Sequence, residues 1–222
     1  MHIIQLQHSR WLHSFFALCL LIGIGFHTNP VSAQPQPVLL VMGDSLSAAY
    51  GMATEQGWVA LLQQKLDHRN KEQNLKIQVV NASISGETTS GGLQRLPGLV
   101  ERHQPAYVII ELGANDALRG QDLRLTERNL RRMIEISRQA GAKVMLLGIR
   151  LPTNYGPAYD ARLSQIYQEL AEKFAIPLDP FFLEDVALEP DMMQDDALHP
   201  NVQAQPVILQ RLWPMIEVWL AD

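Results

Sequence analysis

Apolar and polar positions along the chain alternate between two rhythms. Val38–Met42 is a short run with no polar interruption, and Trp58, Leu61, Leu62 and Leu66 then recur at helical spacing. Ile77–Val80 predicts a second strand. Leu93–Arg102 predicts a helix that Pro97-Gly98 is expected to break in two. Tyr107–Leu112 (YVIIEL) predicts a third strand, and Leu130, Met133 and Ile134 mark a helix ending near Gly141. Val144–Ile149 (VMLLGI) predicts a fourth strand. Leu163, Ile166, Tyr167, Leu170 and Phe174 make the clearest apolar face in the chain. A short strand is expected near Pro177–Leu178, and the last helix carries Ile208, Leu212, Met215, Ile216 and Trp219 on one side.

Strands alternating with helices predict an α/β fold, with a parallel sheet covered by helices on both faces. Uninterrupted apolar strands agree, because a strand buried on both faces has no polar side to show. Ligands of such sheets bind beyond the carboxyl ends of the strands. The residues that follow each strand are therefore where chemistry is expected.

The first 33 residues follow a different logic. Arg10 precedes an apolar stretch from Phe15 to Phe26, and Val31-Ser32-Ala33 then supplies small residues. That order describes a secretory signal. The stretch is shorter than the roughly 20 residues that span a bilayer, which disfavours the competing reading of a retained anchor. Cys19 lies in the middle of the segment, not at its end, so a lipid attachment is not expected either. Cleavage after Ala33 would leave a single domain over residues 34–222, exported, with no stable membrane anchor. It removes one cation and no acid, so the formal charge of −5 becomes −6. An acidic chain without a basic block does not suit nucleic acid. No thiol remains, which is compatible with export. The sequence carries no signal of oligomeric state.

Four segments follow the strands or close the chain. They are Gly43-Asp44-Ser45, Asn81-Ala82-Ser83-Ile84-Ser85-Gly86, Gly113-Ala114-Asn115-Asp116 and Asp195-Asp196-Ala197-Leu198-His199-Pro200. Together they hold what acyl transfer requires. A serine hydroxyl needs a base to take its proton, and histidine titrates in the right range to do so. A carboxylate on the far ring nitrogen orients the imidazole. Backbone N–H groups and an asparagine amide can stabilise the oxyanion. Three histidines follow residue 33, and His68 and His103 both read as solvated helix ends. His199 alone has an acid three residues earlier in a proline-bounded loop, and Asp196 is the chosen acid with Asp195 its competitor.

Other readings use the same residues. Gly-Asp-Ser is good turn chemistry, and Ser45 could merely cap a helix. Asp44, Asp116, Asp196 and His199 could hold a divalent cation, but Ser45, Gly86 and Asn115 would then have no role. The Gly-x-Ser-x-Gly elbow of α/β-hydrolases fails, because Ser47 stands at its fifth position.

These segments resemble the GDSL, or SGNH, hydrolase family. Gly43-Asp44-Ser45-Leu46 matches its first block and Gly86 falls in the second. Gly113-Ala114-Asn115-Asp116 matches the third, and Asp196-Ala197-Leu198-His199 the Asp-x-x-His block. Within the family, GDSLSAAYG, VVNASISGET, RLPTNYG and QDDALHPN resemble the periplasmic multifunctional esterases and thioesterases. The resemblance implies a flavodoxin-like three-layer α/β/α sandwich. It implies Ser45 as nucleophile, His199 as base, Asp196 as its orienter, and an oxyanion hole of the Ser45 and Gly86 N–H groups with the Asn115 side chain. It implies no cofactor and no metal. The expected substrates are carboxylic esters and thioesters: aryl esters, lysophospholipids and acyl-CoA-like molecules. Leu151, Pro152 and Tyr155 are expected to line an acyl groove. A short-chain carbohydrate acetylesterase and a non-catalytic binding protein of the same fold are the alternatives.

Overall fold

The computed structural model describes residues 36–73 and 76–221. The signal read over residues 1–33 lies outside them. Five parallel strands form one sheet in the order β2-β1-β3-β4-β5. They are β1 (Val38–Gly43), β2 (Gln78–Asn81), β3 (Tyr107–Glu111), β4 (Lys143–Leu147) and β5 (Leu178–Asp179). This is the flavodoxin-like strand order. Among the described residues, six α-helices connect or flank them: α1 (Trp58–Gln73), α2 (Thr89–His103), α3 (Ala114–Leu118), α4 (Leu123–Gln139), α5 (Pro157–Phe174) and α6 (Ala204–Ala221).

The helices pair as right-handed crossovers require. α1 packs with α6, and α2 with α4, which also meets α5. The sheet is thus covered on both faces. Leu39, Leu40, Val41 and Met42 of β1 are all fully buried, as are Val108 and Ile109 of β3 and Met145 and Leu146 of β4. Alternate side chains point to opposite faces, so only a doubly covered strand hides every one of them. Gln205 of α6 accepts the Trp58 N–H that opens α1, which ties these two helices at 3.0 Å.

Three boundaries differ from the pattern reading. α2 runs unbroken from Thr89 to His103 through Pro97. Pro97 and Gly98 are exposed, so the proline lies on the outer side of the helix, where its missing N–H disturbs no core packing. The helix also begins earlier than its apolar face, because the Thr88 side chain caps it by accepting the Gly91 N–H. β4 ends at Leu147, two residues short of Ile149, since β5 contributes only two residues to pair with it. α3 has no counterpart in the pattern reading; Ala114–Leu118 forms a short helix soon after β3.

All strand carboxyl ends meet at one edge. Gly43 of β1 stands in register with Glu111 of β3, so the segments that follow both strands start level.

Candidate active site

Ser45 sits in the first turn after β1. Ala48 N–H bonds back to Asp44 O at 2.9 Å, and the Asp44 side chain accepts the Leu46 N–H at 3.0 Å. The turn is pressed against β3. A Cβ on Gly43 would lie 2.7 Å from Glu111 Oε2 and from Ser47 Cβ, so only glycine fits there.

Ser45 Oγ lies 2.9 Å from His199 Nε2. On the other side of the ring, His199 Nδ1 lies 2.7 Å from Asp196 Oδ2. Asp196 Oδ1 accepts the Leu198 and His199 N–H groups, each at 2.9 Å, which closes the Asp-x-x-His segment into a compact loop. Asp195 is exposed and makes no bond to the imidazole. Partial desolvation acts to raise the Asp196 pKa. The His199 backbone N–H, its ring and the Leu198 N–H outweigh it, and the carboxyl falls to about 2.

Two further residues hold this loop against the nucleophile, and no sequence signal marked either. The Tyr50 ring packs on the His199 ring at 4.4 Å between centroids. Gln194 Nε2 donates to Tyr50 O at 2.9 Å and to Pro200 O at 3.1 Å, joining the Ser45 loop to the His199 loop.

Asn115 lies in the first turn of α3. Its amide Nδ2 donates to Asp44 Oδ2 at 3.0 Å. α3 is anchored from beneath by Asp116, which is fully buried and accepts the Thr89 N–H at 2.8 Å and the Thr89 hydroxyl. Gly86 has φ +77° and lines the same cavity, and its carbonyl accepts from Arg119 Nη2 at 2.9 Å. Neither the Ser45 nor the Gly86 N–H has an acceptor in the protein among the described residues.

Behind the turn lie two buried carboxyls. Glu111 Oε2 accepts the Ser47 hydroxyl at 2.7 Å and the Asp44 N–H at 3.2 Å. Burial raises its pKa well above the usual carboxyl range, and the charge of Asp44 adds to the rise. Burial also lifts Asp44, to about 6, against the Leu46 N–H, the Asn115 amide and His199. No lysine or arginine pairs with either group among the described residues. Glu111 ends the apolar run YVIIE, and a lone acid in a buried strand was its only sequence signal.

The carboxylates of the alternative metal reading do not converge. Asp116 is turned into Thr89, Asp44 toward Leu46 N–H and Asn115, and Asp196 toward His199. No group of three His, Cys, Asp or Glu is placed to hold a metal among the described residues.

The cavity in front of Ser45 has a volume of about 650 Å³. Leu151 and Pro152 line it, joined by Ile149 and by Phe181, Leu183 and Leu188 from the segment after β5. Tyr155 does not line it; its hydroxyl donates to Leu118 O at 3.0 Å. The reason is local. The Leu151 backbone N–H and the Arg150 side chain both bond Asp160, which turns the loop so that Tyr155 straps it to the end of α3.

The comparisons with known proteins agree with this architecture. The model of the GDSL-like lipase/acylhydrolase family matches residues 41–205, so the chain belongs to that family and is a serine hydrolase of it. It is 50% identical to esterase TesA of Pseudomonas aeruginosa over 190 residues, 86% of this chain and 91% of that protein. It is 46% identical to the thioesterase 1/protease 1/lysophospholipase L1 of Escherichia coli strain K12, over 90% of this chain and 88% of that one. Among solved structures, the psychrotrophic esterase EstA from Pseudoalteromonas sp., inhibited by monoethylphosphonate, matches with a TM-score of 0.78 and 42% identity. It covers 84% of this chain and 100% of its own.

Proposed function

We propose that this chain is an exported esterase that hydrolyses carboxylic esters and thioesters through an acyl-enzyme on Ser45. The observation that carries the reading is the unbroken line from Ser45 Oγ through both nitrogens of His199 to Asp196, at 2.9 and 2.7 Å. His199 takes the Ser45 proton as Oγ attacks the ester carbonyl carbon. The Ser45 and Gly86 N–H groups and the Asn115 amide stabilise the resulting oxyanion. Collapse expels the alcohol or thiol, which takes its proton from His199. Water then attacks the acyl-enzyme by the same route, and free acid and Ser45 are released. Asp196, with its pKa near 2, stays ionised throughout and stabilises the imidazolium.

A medium to long acyl chain suits the cavity, whose wall beyond the polar groups carries Ile149, Leu151, Leu183 and Leu188. The names of the relatives point the same way: an esterase, and a thioesterase and lysophospholipase. Residues 1–33 are read as the export signal, with a mature chain beginning at Gln34.

The test is hydrolysis of p-nitrophenyl esters from acetyl to palmitoyl by wild type and Ser45→Ala side by side. The reading predicts Ser45-dependent activity that peaks at medium or long chains. A Ser45-dependent preference for acetyl would favour the carbohydrate acetylesterase instead. Absence of Ser45-dependent turnover on every chain would favour the binding protein.

A further inference from the structure

The segment that presents Gly86 is a single tight turn. Glu87 N–H bonds to Ile84 O at 3.0 Å. Gly86 occupies the third position with φ +77°, while Ser85 ahead of it keeps a negative φ. This is the type II form. Types I and II share the same end-to-end bond and differ by a rotation of about 180° of the central peptide. Here the central peptide is the one between Ser85 and Gly86, so its N–H is the Gly86 N–H. In the type II form Gly86 lines the cavity and its N–H has no acceptor among the described residues. In the type I form that N–H points the opposite way. The closing bond of the turn is common to both forms, and the left-handed φ that Gly86 adopts without strain selects the type II form.

Arg119 supplies a restraint. Its Nη2 donates to Gly86 O at 2.9 Å, and a Cβ on Gly86 would sit 3.4 Å from the same nitrogen. The guanidinium makes no ion pair among the described residues, whereas Arg150, which lines the cavity, is held by Asp160. Arg119 follows α3 directly, and its own N–H donates to Asn115 O at 3.2 Å. It therefore links the segment bearing Gly86 to the helix bearing Asn115. A charged fork on the carbonyl fixes where the whole turn stands relative to α3, and with it the Gly86 N–H relative to the Asn115 amide.

We propose that Arg119 is a positioning residue that ties the Ile84–Glu87 turn to α3 and so keeps the Gly86 N–H in register with the Asn115 amide around the developing oxyanion. The inference rests on the reading of Gly86 as an oxyanion donor. It concerns the transition state more than the bound substrate, because the donor is required only when charge appears on the carbonyl oxygen.

The experiment compares Arg119→Ala, Arg119→Lys and Asn115→Ala with wild type on p-nitrophenyl butyrate. Removing a whole oxyanion donor costs about 10²–10³ in kcat, so loosening one without deleting it should cost roughly tenfold. Arg119→Ala is expected to lose roughly tenfold in kcat with KM within about twofold, and Arg119→Lys less. Inhibition by butylboronic acid, which forms a tetrahedral adduct on serine, should weaken in parallel, while inhibition by the product butyrate stays unchanged. Millimolar guanidinium should restore part of the activity of Arg119→Ala and leave wild type unaffected, because the side chain is exposed. A thermal melt close to that of wild type would show that the fold is intact. If Asn115→Ala loses activity while Arg119→Ala keeps it, the assignment of Arg119 is overturned and the oxyanion hole stands. The assignment also fails if butyrate and boronate inhibition weaken equally. If Asn115→Ala itself retains full kcat, the oxyanion hole fails and Arg119 with it.

Discussion

The Asn115 amide donates to Asp44 Oδ2 across 3.0 Å, so the residue immediately before the nucleophile aims the side chain proposed to meet the oxyanion. An amide nitrogen carries two protons. One is committed to Asp44, which leaves the other in a fixed direction toward the cavity. The arrangement couples two segments that arrive from different strands, β1 and β3.

The first prediction concerns this pair. Asn115→Ala should lower kcat by about 10²–10³ with little change in KM, because the amide acts mainly in the transition state. Asp44→Ala should lower kcat as well while Asn115 is still present, since the amide is then free to turn. Steady-state kinetics of both variants check this. An Asp44→Ala enzyme with wild-type kcat would mean that Asn115 is oriented by something else.

The second prediction concerns Asp196. Its pKa of about 2 keeps it ionised well below neutrality. Loss of the Asp196 charge should therefore not contribute to the acid limb of the kcat/KM profile down to about pH 3. Asp196→Asn should lower kcat by roughly 10⁴, the loss seen when a triad carboxylate becomes an amide. Asp195→Asn should change it little. A pH–rate series on the three proteins decides between the adjacent acids.

A third prediction follows from Glu111, whose carboxyl pKa is raised in the fold. The sign is set by linkage. A group with a raised folded-state pKa binds its proton more tightly when folded, so its contribution is greatest at low pH and is lost as pH rises. Glu111→Gln keeps an acceptor for the Ser47 hydroxyl and the Asp44 N–H and removes the ionisable group. Relative to wild type, its melting temperature should thus improve more at pH 8 than at pH 4. Paired thermal melts test it, and an equal difference at both pH values would mean that Glu111 carries no proton linkage.

Much of this site was legible because its parts sit at the ends of strands, where the chain can be read locally. Val38–Met42 and Tyr107–Leu112 announced themselves as apolar runs, and Ser45 and Asn115 follow them within a few residues. What escaped was set by tertiary contact. Tyr50 and Gln194 are 144 residues apart, and nothing local marks the bond between them. Tyr155 reads as an aromatic on a loop over the site, but the Arg150–Asp160 pair turns that loop and sends its hydroxyl to Leu118 O. The unbroken α2 escaped for a related reason. Whether Pro97 disturbs the helix packing depends on whether it lies on the outer side, and the sequence does not display that exposure.

The most direct test of the central claim is to trap the acyl-enzyme. The enzyme is mixed with excess p-nitrophenyl butyrate, quenched in acid within milliseconds, digested and examined by mass spectrometry. The account predicts a butyryl adduct on the peptide containing Ser45, absent from Ser45→Ala and accumulating in Asp196→Asn if deacylation is slowed more than acylation. An adduct on another residue, or Ser45→Ala hydrolysing the ester at the wild-type rate, would contradict it.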